Sequence, residues 1–510
     1  MPDSAPSAAA SGTLIEPAAE DPARSTPGFR RLTRDSLVYG LGTVSGKAMG
    51  LVLLPVLARV LSRDDYGLLD VLWSLGTGIA GILLFGLDAA TVRLYFDQSI
   101  RDRASLLATW GAVLAATAAS AALALLLAAP WIARWVYGSG GDNAAPLVLA
   151  LIVPATLTNY FAITVLRTTG RPVAYAVVSV ATFVLYGGMV IVLAVAGRAS
   201  VVTTMGAWGI SLAVTSVLGF ALLRTTLVGR IRRDAASRLL RYGLPLAPVL
   251  AVTLASDFVH RAILLSAGGP AEVAQLTVAL RFASLEALLI AAFQLAWQPR
   301  VFAMGTTDFA LRRIAVDARR FLALAAVASL GLAVVMPVAV PIVAGEPYRV
   351  AVGTVGWCLS ATFLAAAYAM ASTASAIAKR PGDITRSTVA GIATAVVANL
   401  LLAPRFGSVG TGAALVIGQA AAVLLVFLSS RRALSLPGPW LSSGVVVITT
   451  SIATIAWTAG ELPLWIGIGC VGIAGAALIA DSTLRDIVKQ VLDRSRSSVS
   501  AADEGPQGPA

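Results

Sequence analysis

The sequence predicts an all-α integral membrane protein with about 14 transmembrane helices, arranged as two six-helix bundles followed by two further helices. Segments long and apolar enough to cross a bilayer recur from residue 36 to residue 481. About 20 apolar residues in a helix match the hydrocarbon core of a bilayer. Apolar residues make up 57% of the chain, charged residues make up 13%, and the mean hydropathy is +0.83. This composition is typical of a polytopic membrane protein rather than of one large soluble core.

Each predicted span is a run of apolar residues bounded by charged residues, Gly or Pro. In chain order the spans cover residues 36–59, 66–92, 105–129, 145–167, 172–196, 203–227, 241–267, 272–298, 321–344, 350–377, 386–403, 410–429, 440–458 and 462–481. The largest loops between spans, residues 228–241 and 301–320, are too short for a folded domain. Catalysis by a domain outside the membrane is therefore not expected.

The basic residues are divided unequally between the two sides of the membrane. The formal charge of +12 and the pI near 10.3 would suit a nucleic-acid-binding protein, but the 38 basic residues form no patch. If the N-terminus is cytoplasmic, 29 of them lie on the cytoplasmic side, 6 lie on the outer side and 3 lie within spans. The positive-inside rule therefore predicts that both termini lie in the cytoplasm, and the scattered basic residues indicate no nucleic-acid partner.

The segments before the first span and after the last one are predicted to be disordered. Residues 1–31 and 482–510 contain mostly small and polar residues with several prolines, and they form the two predicted cytoplasmic tails. The first 29 residues are too polar for a cleavable signal peptide. Cys358 and Cys470 lie in separate spans, so neither a disulfide nor a metal site is indicated, and no cofactor is expected.

Short motifs recur at an offset of about 203 to 209 residues. Tyr-Gly-Leu stands at residues 39–41 and again at 242–244, while Thr-Gly-Arg-Pro at 169–172 stands opposite Ala-Lys-Arg-Pro at 378–381. Two related halves around a central site are common in transporters, and six spans per half would give both halves the same orientation. The predicted units are an N-terminal six-helix bundle at residues 32–228, a C-terminal six-helix bundle at 229–432, and two additional helices at 433–481.

Three segments resemble a known family. Residues 399–414 read Asn-Leu-Leu-Leu-Ala-Pro-Arg-Phe-Gly-Ser-Val-Gly-Thr-Gly-Ala-Ala, residues 58–67 read Ala-Arg-Val-Leu-Ser-Arg-Asp-Asp-Tyr-Gly, and residues 86–96 read Gly-Leu-Asp-Ala-Ala-Thr-Val-Arg-Leu-Tyr-Phe. This pattern resembles that of bacterial polysaccharide flippases of the Wzx type, in the MOP exporter superfamily, over roughly residues 32–481. The resemblance implies a MATE/MOP-like fold and export of an isoprenoid-diphosphate-linked oligosaccharide by alternating access. It also implies polysaccharide polymerases or other assembly proteins as candidate partners.

Three cations at membrane depth are candidates for substrate binding, because charges in a bilayer usually face a protein interior or a wet cavity. Lys47 lies about 16 Å along the first span, Arg261 lies in the outer part of the seventh span, and Arg281 lies about 14 Å along the eighth. Together they would hold a diphosphate, since arginines offer forked donors and lysine offers a mobile point charge. Lys47→Ala is expected to abolish export and to leave membrane insertion intact.

A structural role for the same charges remains open. Asp257 and Arg261 are spaced i,i+4, which suits an ion pair within one helix. Glu286 follows Arg281 by five residues, so these two are poor partners on one helix, and each is a candidate for pairing across the cavity. Asp257 and Glu286 are thus candidate cavity residues as well. His260, the only histidine, is a candidate for proton coupling because its imidazole titrates near neutral pH.

Three rival functions remain at the level of the sequence, and the first is a flippase for a lipid precursor of peptidoglycan. A MATE-like exporter of drugs or metabolites would be favoured by a deep carboxylate for cation coupling and by few cations in its cavity. A polytopic polysaccharide polymerase or ligase would use similar lipid-linked substrates, but it would be expected to carry a large outer loop. The deep cations and the short outer loops favour a flippase that is not an enzyme.

Overall fold

The structure, a computed structural model, describes residues 40, 42, 45–46, 48–97, 100–138, 143–245, 247–433 and 440–460. The regular elements of these residues are helices. In chain order they are α1 (Leu54–Val60), α2 (Arg63–Leu83), α3 (Leu87–Phe96), α4 (Ile100–Tyr137), α5 (Ala144–Thr168), α6 (Pro172–Val195), α7 (Val201–Leu223), α8 (Arg233–Gly243), α9 (Ala247–Gly268), α10 (Pro270–Met304), α11 (Asp308–Ala344), a 3₁₀ turn (Glu346–Tyr348), α12 (Ala351–Ile377), α13 (Pro381–Ala433) and α14 (Trp440–Ala459).

The all-helical membrane architecture is confirmed. Among the described residues, nine helices are long and apolar enough to cross a membrane: α2, α4, α5, α6, α7, α10, α11, α12 and α13. This number is consistent with about 14 spans, because α13 alone covers two predicted ones. The last predicted span, about a third of the first, and both predicted tails lie outside the described residues.

The second predicted span, residues 66–92, is wrong in extent. The helix α2 ends at Leu83, and Phe85 and Gly86 then adopt left-handed backbone conformations with φ of 49° and 66°. The left-handed conformation does not continue a right-handed α-helix, because it brings Cβ of an ordinary residue too close to the backbone. Two successive residues in this conformation therefore redirect the chain. A separate helix, α3, therefore starts at Leu87.

The predicted spans at residues 386–403 and 410–429 are joined in one element, α13, which is kinked at Gly407. Gly407 has φ of 56°, and a Cβ there would collide with the carboxylate of Glu272. That carboxylate accepts a hydrogen bond from the backbone N–H of Ser408 (2.6 Å). The kink thus frees a backbone donor, and α10 supplies its acceptor.

The connection between the halves is also different from the prediction, in which the seventh span starts at residue 241. The chain forms the short amphipathic helix α8, which packs against α3 and α4, before the long helix α9 begins. Arg232 forms ion pairs with Asp102 and Asp234, both at 3.0 Å. Its hydrogen bond holds the pKa of Asp234 below the ordinary value. Charged and helical contacts therefore fix this linker on the first half.

The motif repeat has a structural counterpart. Gly170 after α5 and Lys379 after α12 both have positive φ, at 69° and 55°. In each turn the next arginine, Arg171 or Arg380, donates its backbone N–H to the carbonyl five residues earlier, which is the closing bond of a Schellman cap. The next helix begins with a proline at both places. The same helix corner is therefore built twice, at an offset of 209 residues.

Helix α2 belongs to the predicted N-terminal half, residues 32–228, and packs against α9 and α10 of the predicted C-terminal half, residues 229–432. Its glycines allow this close approach, because a Cβ at Gly67 would collide with the backbone carbonyl of Pro270. Farther along α2, a Cβ at Gly81 would lie 2.8 Å from Cβ of Leu254 on α9. The contact therefore runs along most of α2 and places its polar residues directly against the other half.

Candidate functional site

A buried cluster of charged residues lies where α2 meets α9 and α10. Asp70 on α2 is only 6% exposed. Its Oδ2 accepts hydrogen bonds from Nε of Arg261 on α9 and from the hydroxyl of Thr277 on α10 (2.8 Å). Its Oδ1 lies 3.9 Å from Nη2 of Arg281, also on α10. Two guanidinium groups therefore share one carboxylate, and the cluster keeps an excess positive charge.

The two arginines differ in how firmly they are held. Arg261 makes its pair with Asp70 and also donates from Nη1 to the backbone carbonyl of Asp257 (2.8 Å). Arg281 has a longer contact with Asp70 and lies beside the hydroxyl of Tyr66, and its side chain is 33% exposed. Its guanidinium lies against Gly50, where a Cβ would overlap it. Arg281 is thus the cation with donors available to a ligand.

Arg281 and Asp70 line a central cavity of about 50 Å³. Much of the remaining wall is apolar or aromatic, and it includes Tyr66, Leu69, Trp73, Phe183 and Tyr186. A volume of this size holds a few water molecules and is far smaller than a typical ligand pocket. The described conformation is therefore closed around the charged cluster.

The end of this cavity beside the start of α2 is closed by contacts between the halves. Arg59 donates a hydrogen bond to the backbone carbonyl of Ile342 near the end of α11, and Arg63 donates one to the carbonyl of Pro347 in the 3₁₀ turn that follows. The rings of Tyr66 and Tyr348 meet edge to face, with their centroids 6.3 Å apart. The guanidinium of Arg63 also lies 5.7 Å from the centroid of the Tyr348 ring. We call these contacts between the halves, made by Arg59, Arg63, Tyr66 and Tyr348, the cross-half latch.

The structure brings two of the three predicted cations together. Arg261 and Arg281 reach the same carboxylate from neighbouring helices, although they are 20 residues apart in sequence. Lys47 lies outside the described residues. Its helical neighbours Gly46 and Gly50 line the cavity. A cavity role for Lys47 therefore stays a prediction.

The predicted pair between Asp257 and Arg261 takes another form. Arg261 contacts the backbone of Asp257, while its ion pair is with Asp70. The residue Asp257 is itself exposed. His260, the coupling candidate, is buried, and its backbone carbonyl accepts a hydrogen bond from Asn399 on α13 (3.1 Å). No described group forms a hydrogen bond with its Nδ1.

Glu286 lies apart from the charged cluster, in the apolar interior of the second half. It is 1% exposed, and within the described part of the chain neither carboxylate oxygen has a hydrogen-bond partner. The hydroxyl of Ser329 on α11 lies beside it and likewise makes no hydrogen bond to a described residue. Glu286 does not line the central cavity in this conformation.

Asp70 is a residue that the sequence analysis did not select, because the predicted second span begins at residue 66 and places Asp70 near its end. The helix begins at Arg63, so Asp70 lies about 10 Å along it. The sequence did contain a signal for this carboxylate. Two arginines deep in adjacent spans need a counter-charge, which a carboxylate on a third span can supply.

This arrangement of helices is shared by solved membrane transporters. A lipid II flippase MurJ in an inward closed conformation matches with a TM-score of 0.67 and 12% identity, covering 89% of this chain and all of MurJ. An inward-facing multidrug resistance MATE family transporter of the MOP superfamily matches with a TM-score of 0.60 and 18% identity, covering 80% of this chain and 98% of that transporter. A MOP superfamily transporter from Pyrococcus furiosus matches with a TM-score of 0.56 and 16% identity, covering 79% of this chain and 95% of that transporter. At these identities the likeness defines the fold alone.

The sequence shows to which family the chain belongs. A model of the family described as polysaccharide biosynthesis protein matches residues 32–305, which is more than half of the chain. The chain belongs to the polysaccharide biosynthesis protein family. No curated protein matches the sequence. The family agrees with the resemblance found in the sequence, and the fold is shared with solved structures that include a lipid II flippase and a transporter of the MOP superfamily.

Proposed function

We propose that this protein moves an isoprenoid-diphosphate-linked oligosaccharide from the cytoplasmic to the outer leaflet of a bacterial plasma membrane. Family membership supports a role in polysaccharide assembly, and the fold supports transport. The observation that carries the proposal is the cluster of Asp70, Arg261 and Arg281 between the two halves. Its excess positive charge suits an anionic head group at membrane depth.

The chemistry of the cluster suits a diphosphate. Arg281 offers a planar fork of N–H donors, which matches the oxygens of a phosphate group in a bidentate manner. Asp70 neutralises part of the positive charge while no cargo is bound, and Thr277 holds its carboxylate in place. A diphosphate that binds Arg281 replaces this weak contact with a stronger one. The head group thereby crosses the membrane without placing its phosphates in hydrocarbon.

The position of the cluster connects binding to alternating access. Asp70 belongs to the first half, and both arginines belong to the second. An anion that competes with Asp70 for Arg281 therefore weakens a bond between the halves. Loss of this bond favours separation of α2 from α9 and α10, which opens the cavity.

A MATE-like exporter is the second candidate, and the aromatic wall of the cavity favours it. Trp73 stacks on Trp208 with ring centroids 4.6 Å apart, and Tyr186 lies 5.5 Å from Trp73. Aromatic faces attract organic cations. Arg281 beside the same wall opposes a cationic cargo, so the flippase is the better supported function.

The test is complementation in cells depleted of the protein. Lipid extracts are analysed by mass spectrometry for isoprenoid-diphosphate oligosaccharides, and surface polysaccharide is measured in parallel. Wild-type protein should remove the accumulated lipid, whereas Arg281→Gln should reduce export at least about tenfold because the phosphate loses a charged bidentate donor. Arg281→Lys should restore only part of the export, since an ammonium group lacks the planar fork.

Arg386→Gln is the matched control. Arg386 is an exposed arginine of the same half, near the start of α13 and away from the cluster, so export should be unchanged. Unchanged lipid levels on depletion, together with new sensitivity to drugs, would favour the exporter instead. Normal export by Arg281→Gln would exclude the charged cluster as the cargo site.

A further inference from the structure

A second cavity, of about 410 Å³, lies inside the first half next to the central one. Phe183 on α6 belongs to the walls of both cavities, so the two lie on either side of this side chain. This volume is within the range of small-molecule sites. The second cavity is therefore adjacent to the proposed diphosphate position and large enough for a further part of the cargo.

The wall of this N-terminal cavity combines hydroxyl and amide groups with aromatic rings. The polar members include Thr156, Asn159, Thr164, Ser179 and Thr182, and the aromatic ones include Tyr160, Tyr175, Phe183 and Trp208. One charged residue, Arg167, belongs to the wall. Neutral hydrogen-bonding groups beside aromatic faces complement a sugar ring, which has hydroxyls around its edge and apolar C–H faces.

Asn159 is held in an orientation that leaves an acceptor for a ligand. Its Nδ2 donates to the hydroxyl of Thr215 (3.0 Å), and Thr182 donates to the same hydroxyl (2.8 Å). Asn159 itself is 7% exposed and lines the cavity. Its donor is thus engaged inside the helix bundle, and its carbonyl oxygen is the group that remains for a sugar hydroxyl.

Ser179 supplies the independent observation. It is 7% exposed, it lines the cavity, and no described group forms a hydrogen bond with its hydroxyl oxygen. A buried hydroxyl without a partner is costly, so such groups usually bind a ligand or water. Tyr175, Ser179 and Phe183 follow one another at one-turn intervals on α6, and Gly42 lies against this face, with Oγ of Ser179 3.2 Å from the position of a Cβ at Gly42. The hydroxyl therefore lies at the rim of the cavity, beside Gly42.

We infer that the N-terminal cavity binds the saccharide of the cargo that is attached to the diphosphate, with Asn159 and Ser179 as its hydrogen-bonding residues. This inference rests on the proposed function, because the diphosphate at Arg281 places the first sugar beside Phe183. Asn159 and Ser179 are neutral, so they recognise hydroxyl groups rather than charge. The site therefore selects for glycosylated over sugar-free carrier lipid.

The experiment compares two probes on the purified full-length protein: an isoprenoid diphosphate, and the same lipid carrying one hexose. Wild-type protein should bind the hexose-bearing lipid about tenfold more tightly, which corresponds to one or two additional hydrogen bonds. Asn159→Ala/Ser179→Ala should abolish this preference and leave the affinity for the sugar-free lipid unchanged. Arg281→Gln should weaken the binding of both probes.

Thr204→Ala is the matched control, since Thr204 on α7 is also buried with a hydroxyl that no described group bonds, but it does not line the cavity. The Thr204→Ala variant should prefer the hexose-bearing lipid to the same degree as wild type. A preference that survives in the Asn159/Ser179 double variant, or binding of a lipophilic aromatic cation with no preference between the lipids, would overturn the inference. Failure of the proposed function would appear differently, as no binding of either lipid.

Discussion

At the scale of single residues, the account depends on one carboxylate shared by two arginines. Asp70 and Arg261 are both largely buried, with side chains 7% and 13% exposed. Removing one partner of a buried ion pair leaves an uncompensated charge, whereas removing both is much less damaging. The depth of Arg261 and Arg281 could be predicted from sequence spacing alone. The identity of their partner could not, because it depends on which faces of α2, α9 and α10 meet.

Asp70→Asn is expected to lower the stability of the protein by about 3–5 kcal/mol, because Arg261 loses its counter-charge inside the membrane. The double variant Asp70→Asn/Arg261→Gln should recover part of this loss. Thermal unfolding in mild detergent measures both. A double variant as unstable as the sum of the two single variants would show that the pair contributes nothing as a pair.

At the scale of helices, the three segments that carry the family resemblance form corners. Gly86 starts α3 with a left-handed conformation, and Gly407 kinks α13. Ser62 caps α2, since its hydroxyl accepts a hydrogen bond from the backbone N–H of Asp65 (3.0 Å). Apolar periodicity predicted where most of the long helices lie. It could not predict the break near Phe85 or the continuity of α13, because these depend on local backbone conformation and on the contact with Glu272.

Gly67→Ala should separate α2 from α10, because the new methyl group meets the backbone carbonyl of Pro270 and neither backbone moves easily. We expect a loss of about 1–3 kcal/mol in stability, as for other overpacked interiors. Gly188→Ala on α6 is the control, since no atom lies within 4 Å of its Cβ position. It should be neutral or stabilising by up to about 1 kcal/mol through helix propensity. Equal stability of the two variants would contradict close packing at Gly67.

At the scale of the whole molecule, the two halves are in contact on both sides of the charged cluster. The cross-half latch lies at one side, and the contact of Gly81 with Leu254 lies toward the other. The sequence predicted two related halves from short repeated motifs, and the corners at Gly170 and Lys379 match in conformation. It could not predict that the cavity would be closed, because closure is a property of the arrangement of the halves.

Arg59→Ala/Arg63→Ala should shift the protein toward a conformation that is open at the latch, because two charged donors that join the halves are lost. The measurement is labelling of Leu69→Cys, a cavity position, by a membrane-impermeant maleimide in cells, in a chain with both native cysteines replaced. Labelling should become faster in the double variant. An unchanged rate would show that the latch does not control access.

The most direct test of the central claim is movement of the lipid in vesicles. Purified protein is reconstituted into liposomes with an isoprenoid-diphosphate oligosaccharide, and the fraction digested by a membrane-impermeant glycosidase is followed over time. We predict that wild-type protein exposes the inner-leaflet lipid to the enzyme, while Arg281→Gln stays close to the rate of protein-free vesicles. Wild-type vesicles that show no more exchange than protein-free vesicles, or an Arg281→Gln variant as fast as wild type, would contradict the account.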